Sequence, residues 1–203
     1  MNFRNLLRAG CLALAVCSTG AAADALWLAP AGTTLRLHAG VPDAPRTPDA
    51  LEAVQASRAG EPLTVASGAL AASPAASVDT RLSARRLGPD GEPVIYLARF
   101  GRNETEARNA LELVPTEAGG NRFVLIWQGR VVPASKVLVS TSAGWRRTLL
   151  PATDGSVTLP TPFPALYVLE IAARASGPAA APGDDPRYAN ARYVATLSFE
   201  AGR

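Results

Sequence analysis

The chain has 203 residues, with 20 Lys or Arg, 17 Asp or Glu, one His and two Cys. Removal of an N-terminal leader containing Arg4 and Arg8 leaves 18 basic side chains against 17 acidic ones. A net charge of about +1 provides no electrostatic footprint for nucleic acid.

Residues 1–23 read as an export leader. Arg4 and Arg8 precede an apolar run centred on residues 12–16, and Ala21-Ala22-Ala23 supplies the small side chains a signal peptidase requires. The apolar run is shorter than the roughly 20 residues that span a bilayer, which argues against a retained anchor. Lipid attachment at Cys17 is the competing reading, and Val16 is bulky for the position before a lipidated cysteine. Cleavage after Ala23 removes Cys11 and Cys17, so the mature chain is expected to start at Asp24, without disulfides, in the periplasm.

The next residues alternate as strands do. Trp27-Leu28 and residues 33–38 predict opening strands, with Leu35 and Leu37 in one phase and Arg36 and His38 in the other. Residues 41–76 are rich in Pro, Ala, Ser and Gly and read as a mobile connection. Inside them Thr47-Pro48-Asp49 resembles a helix start, with Leu51 and Val54 on one face and a stop at Gly60. Residues 78–87 and 94–100 predict a hairpin about Gly88-Pro89-Asp90-Gly91. Asn103-Glu104-Thr105-Glu106 predicts one capped turn.

From residue 110 short strands recur, at 110–114, 122–128, 135–140, 145–150, 156–159, 166–172 and 192–200, separated by Gly- and Pro-bearing turns. Tyr193, Ala195, Leu197 and Phe199 alternate with Thr196, Ser198 and Glu200, as expected of strands with one buried face. The expected fold is all-β, with an Ig-like or transthyretin-like sandwich over 108–203 preceded by a smaller irregular β region over 24–107.

Two resemblances refine this expectation. Residues 127–137 (WQGRVVPASKV), the pair Asp154-Gly155 and residues 165–170 (ALYVLE) resemble transthyretin-like and carboxypeptidase-regulatory-like modules. Trp27-Leu28-Ala29-Pro30, Leu111-Glu112-Leu113-Val114-Pro115 and residues 192–200 (RYVATLSFE) join them in a wider pattern. That pattern is similar to a bacterial periplasmic family of unknown function associated with nickel uptake. It implies an exported binding or accessory protein, a divalent metal ion as cofactor, and an envelope transporter or outer-membrane receptor as partner. Members of that family commonly begin with His after the leader. Asp24 occupies that place here, a harder and weaker donor for nickel or cobalt.

The candidate metal ligands are therefore Asp24, His38 and the pair Asp184-Asp185. A lone His is more often a surface or hydrogen-bonded group, because transition-metal sites gather several N or S donors. Two adjacent carboxylates fall short of the six or more oxygens calcium recruits. Trp145, Arg146 and Tyr188 are the candidate contacts for a ligand or partner, in competition with aromatic packing in a sandwich core, which also claims Trp127, Tyr167 and Tyr193. Enzymatic readings have little support. No Gly-x-Ser-x-Gly elbow or phosphate-cradling glycine loop is present, and the several His and Tyr-Arg-Gly-Ser tail of the transthyretin-like hydrolases are missing. A structural or protein-interaction module of the envelope, with no metal role, is the alternative to metal-uptake accessory.

Overall fold

The structure is a computed structural model that describes residues 25–71, 78–88, 91–134, 136–174, 186–188 and 190–202. The leader, Cys17, Asp24, Pro89-Asp90 of the predicted hairpin turn, and Asp184-Asp185 lie outside the described residues.

In chain order the strands begin with β1 (Leu26–Ala31), β2 (Thr34–Val41), β3 (Ala44–Arg46), β4 (Glu52–Arg58), β5 (Glu61–Leu63), β6 (Val65–Ala66) and β7 (Ala69–Leu70). Then come β8 (Thr80–Leu87), β9 (Pro93–Phe100), β10 (Leu111–Pro115), β11 (Arg122–Trp127) and β12 (Arg130–Val132). The last are β13 (Val137–Thr141), β14 (Arg146–Leu149), β15 (Val157–Thr158), β16 (Ala165–Arg174) and β17 (Arg192–Ala201), with a 3-10 turn at Pro186–Tyr188 before β17. The all-β expectation holds, and every strand predicted beyond residue 110 is present within a few residues of its predicted limits.

Three sheets form. The largest has eight strands in the order β14-β13-β16-β17-β9-β8-β4-β5. Within it β17 runs antiparallel to β16 and parallel to β9, so the central sheet draws strands from both sides of residue 107. A five-stranded sheet, β1-β2-β7-β6 with β3 on β2, covers one face, and a four-stranded sheet around β11 covers the other. Alternate residues of the central strands go to different cores. Ile95, Leu97, Ala195, Leu197 and Phe199 pack with Leu113, Phe123 and Leu125 of the four-stranded sheet. Tyr96, Ala98 and Val194 pack with Leu26, Leu28 and Leu35 of the five-stranded one. Full burial of each large apolar side chain contributes about 1.5–3 kcal/mol.

This double covering corrects the expectation of one buried face for β17. Thr196 and Ser198 are buried, and their hydroxyls donate to the carbonyls of Leu26 and Leu28 at 2.6 Å each. The polar phase of β17 therefore carries β1 instead of facing water, since a hydroxyl is tolerated inside only with a partner.

Residues 41–76 are expected from the sequence to be a loop with a short helix; their described part, to residue 71, forms five strands instead. Leu51 and Val54, three positions apart, suit one face of a helix, and a β-bulge reaches the same result. Ala53 has φ 47°, the ladder between β4 and β8 shifts between Glu52 and Gln55, and the extra residue brings Leu51 and Val54 to the same core. Pairing with β5 on one side and β8 on the other outweighs the weak local helix preference.

The turn expected at Asn103–Glu106 does not become a helix. Asp79, just before β8, accepts the Asn103 and Glu104 amides at 3.0 and 3.1 Å, so a carboxylate distant in sequence supplies the cap. Gly101, at φ 104°, precedes this loop; a Cβ there would collide with the Asp79 carboxylate.

Candidate functional site

A pocket of about 640 Å³ opens beside β2, within the size range of small-molecule sites. Its walls come from β2 (Arg36, Leu37, His38), the segment from Pro45 to Asp49, Leu51 and Val54 at the bulge, and Val65, Ser67 and Gly68 of the β6–β7 hairpin. Local chemistry places each wall. Ser67 and Gly68 both have positive φ, at 49° and 75°, as a two-residue hairpin turn requires, and the Gly68 carbonyl accepts the Leu37 amide at 2.8 Å. The hairpin tip is thereby pinned over β2.

His38 stands opposite Trp27 in the β1–β2 ladder, and the rings stack with centroids 4.6 Å apart at 22°. Trp27 is buried and its Nε1–H donates to the Gly40 carbonyl at 3.2 Å. The half-buried imidazole is held below its usual pKa first by loss of solvent and then by the Arg36 guanidinium, so it is neutral at pH 7. Arg36 lies between Ala29 and Ala69 on the neighbouring strands, is exposed, and has no ion-pair partner among the described residues. On β3, Arg46 faces Ala39 and lays its guanidinium on Gly40, whose missing Cβ makes room: an added Cβ would sit 3.3 Å from Arg46 Nε. Asp49 is the acidic residue of the lining, and its exposed carboxylate meets Arg86 at 3.3 Å. The pocket is therefore lined by Arg36, Arg46 and a neutral imidazole together with apolar residues of the neighbouring strands.

Of the sequence-predicted residues that are described, His38, Trp145, Arg146 and Tyr188, only His38 lines this pocket. Among the described residues no group of three or more His, Cys, Asp or Glu is placed to hold a metal ion. Trp145 is half-buried against Phe163 and Tyr167, edge-on at 6.0 and 6.4 Å. Arg146 bonds both oxygens of Asp43 in the β2–β3 turn, at 3.0 and 2.9 Å. Tyr188 is buried beneath Arg85 and donates to Glu52 at 3.3 Å. These three side chains thus serve separate contacts, and Trp127 packs edge-on against Tyr193 at 4.9 Å.

Sequence reasoning missed a charged cluster inside the protein. Arg99 on β9 is fully buried; its Nε donates to Asp79 at 3.0 Å and its Nη1 to Glu112 at 2.7 Å, while Nη2 reaches Asp79 and the Glu104 carbonyl. Arg81, opposite Arg99 in the β8–β9 ladder, donates to the same Glu112 oxygen at 2.9 Å and to the Glu104 carboxylate. Glu112 also accepts the Arg108 and Asn109 amides at 2.9 and 2.8 Å. Two facing arginines would repel; the carboxylates between them turn the pair into a latch joining β8–β9, the 101–109 loop and β10. The signal was Arg99 itself, a charge in the phase of Ile95 and Leu97. A second hollow, of about 610 Å³, lies beside this latch and is lined by Arg81, Asn109 and β4.

The fold and pocket define a three-layer β protein with a lateral pocket. No helix among the described residues is long and apolar enough to cross a membrane. No protein-family model matches the chain, and no curated protein matches it.

Proposed function

We propose that this chain is an exported, non-enzymatic binding or accessory module of the cell envelope, acting through the pocket beside β2. The observation that carries the reading is the pocket itself. Its volume suits a small ligand, and polar and apolar residues of paired strands line it together. Export rests on the leader-like residues 1–23. A narrower proposal, a link to nickel or cobalt uptake, rests on the family resemblance and on Asp24, His38, Asp184 and Asp185. Calorimetric titration of residues 24–203 with nickel, cobalt, copper, zinc and calcium tests it. Direct metal carriage fails if no ion binds more tightly than about 1 mM. The wider accessory reading fails if deletion of the protein leaves uptake unchanged and no ligand or envelope partner is found.

A second reading, a protein-interaction module, is favoured by large apolar side chains left in water. Val131 on β12 is 61% exposed and Leu150 after β14 is 74% exposed, both beside sheet edges. Capture of a defined envelope protein that is lost on Leu150→Asp, with no small ligand bound, would favour it.

A further inference from the structure

We infer that the hollow beside the buried latch is a second binding site, for a small uncharged saccharide. It shares only Val54 with the lining of the pocket beside β2, so it goes beyond the function proposed above. The ladders place Gln55 opposite Ser83, and Ser57 opposite both Arg81 and Pro62. These residues share one face of the central sheet, on which Ser83 stands opposite Leu97 and Arg81 opposite Arg99. Asn109 lies over the same face, because its amide and the Arg81 Nε–H meet on Glu112 at 2.8 and 2.9 Å. The charge of this wall is already matched. Arg81 is the one ionisable residue lining the hollow among the described residues, and all three of its guanidinium nitrogens donate: Nε to Glu112, Nη1 to Glu104 and Nη2 to the Glu106 carbonyl. What is left unmatched is neutral. Asn109 Nδ2 is buried with no hydrogen-bond partner among the described residues, and the side chains of Gln55, Ser57 and Ser83 have none there either. Hydroxyls and carboxamides both donate and accept, as the hydroxyls of a sugar do. An apolar ligand would leave the Asn109 N–H unsatisfied, and an ion would find no opposite charge to meet it. A volume of about 610 Å³ accommodates a mono- or disaccharide, and the exposed Pro62 ring offers a contact for the C–H face of a sugar.

Residues 24–203 are titrated with glucose, N-acetylglucosamine, maltose, gluconate and glucosamine, while the side-chain amide of Asn109 and the imidazole of His38, the one histidine of the chain, are followed by NMR. At least one of the three neutral sugars should shift the Asn109 amide saturably, with a dissociation constant below about 10 mM and with His38 unmoved. Gluconate and glucosamine should bind no more tightly than glucose. Gln55→Ala, at an exposed position, should weaken the neutral sugar about two- to tenfold, the worth of one neutral hydrogen bond, and Ser57→Ala with Ser83→Ala should weaken it at least as much. Silence of Asn109 toward all three neutral sugars overturns the proposal and leaves the pocket beside β2 untouched. Tighter binding of a charged analogue also overturns it, as does neutral-sugar binding that is indifferent to Gln55→Ala and to the serine pair. A sugar that shifts His38 and spares Asn109 overturns it too, and places the ligand in the pocket beside β2.

Discussion

Replacing Arg99 with Met removes the centre of the buried latch while keeping a side chain of similar length. Arg99 is 0% exposed and donates to two carboxylates and two carbonyls. The loss is smaller than the sum of those bonds, because the partners keep others. Asp79 retains the Asn103 and Glu104 amides, and Glu112 retains Arg81 and the amides of 108 and 109. What remains is the cost of leaving two carboxylates with one arginine fewer, about 3–5 kcal/mol for a broken buried pair. That is a fifth or more of the about 5–15 kcal/mol that holds an ordinary domain together. Urea unfolding followed by tryptophan fluorescence reads it directly. At a slope of about 2 kcal/mol per molar, the midpoint should fall by about 1.5–2.5 M. Arg99→Lys keeps the charge but not the fork, and should lie between wild type and Arg99→Met. A midpoint shift under about 0.5 M with unchanged slope, or about 1 kcal/mol, would refute the view that this cluster joins the two regions of the chain.

Ser198→Ala strips the hydroxyl that holds the Leu28 carbonyl and should cost about 1–2 kcal/mol by the same urea assay, although the side chain shrinks by one atom. His38 should titrate below 6.5 by NMR, and Arg36→Gln should move its pKa upward. Because the unfolded chain then takes up the proton first, stability should fall as pH drops from 6.5 through the folded value, and His38→Gln should abolish that loss. A folded value at or above 6.5 would contradict the burial and charge described for the pocket. Glu170, raised by burial against the opposing pull of Arg192, is a neutral-pH liability. Glu170→Gln should therefore stabilise the protein at pH 7 and lose that advantage as pH falls through the raised folded value to 4.5, and an equal gain at pH 4 would show another cause.

The strands of the C-terminal half were legible because turn residues recur between them. Asp154-Gly155 and Gln128-Gly129 mark chain reversals before any partner is known, and Gln128 and Gly129 do adopt positive φ. The burial of Thr196 and Ser198 was not legible, since it depends on β1, about 170 residues away in sequence. Leu51 and Val54 misled for a related reason: the bulge at Ala53 copies a helical spacing. The pocket was half visible. His38 stood out by its rarity and Arg36 shares its strand phase, whereas Arg46 joins the same lining only through the pairing of β3 with β2. Arg99 could have been singled out as a charge in an apolar phase, though its partners Asp79 and Glu112 come from separate strands or their ends.

The position of β17 bears on how the molecule assembles. It is inserted between β9 and β16, pairing Arg192 with Val94 across about a hundred residues of chain. Without it the eight-stranded sheet is two fragments, β14-β13-β16 and β9-β8-β4-β5, and β1 loses the two hydroxyls on which its carbonyls rest. A ribosome-bound chain lacking this strand cannot complete either core, so the pocket near the beginning of the sequence awaits residues made at its end. Folding therefore waits on a long loop closure, and the central sheet becomes continuous only once its last strand is in place.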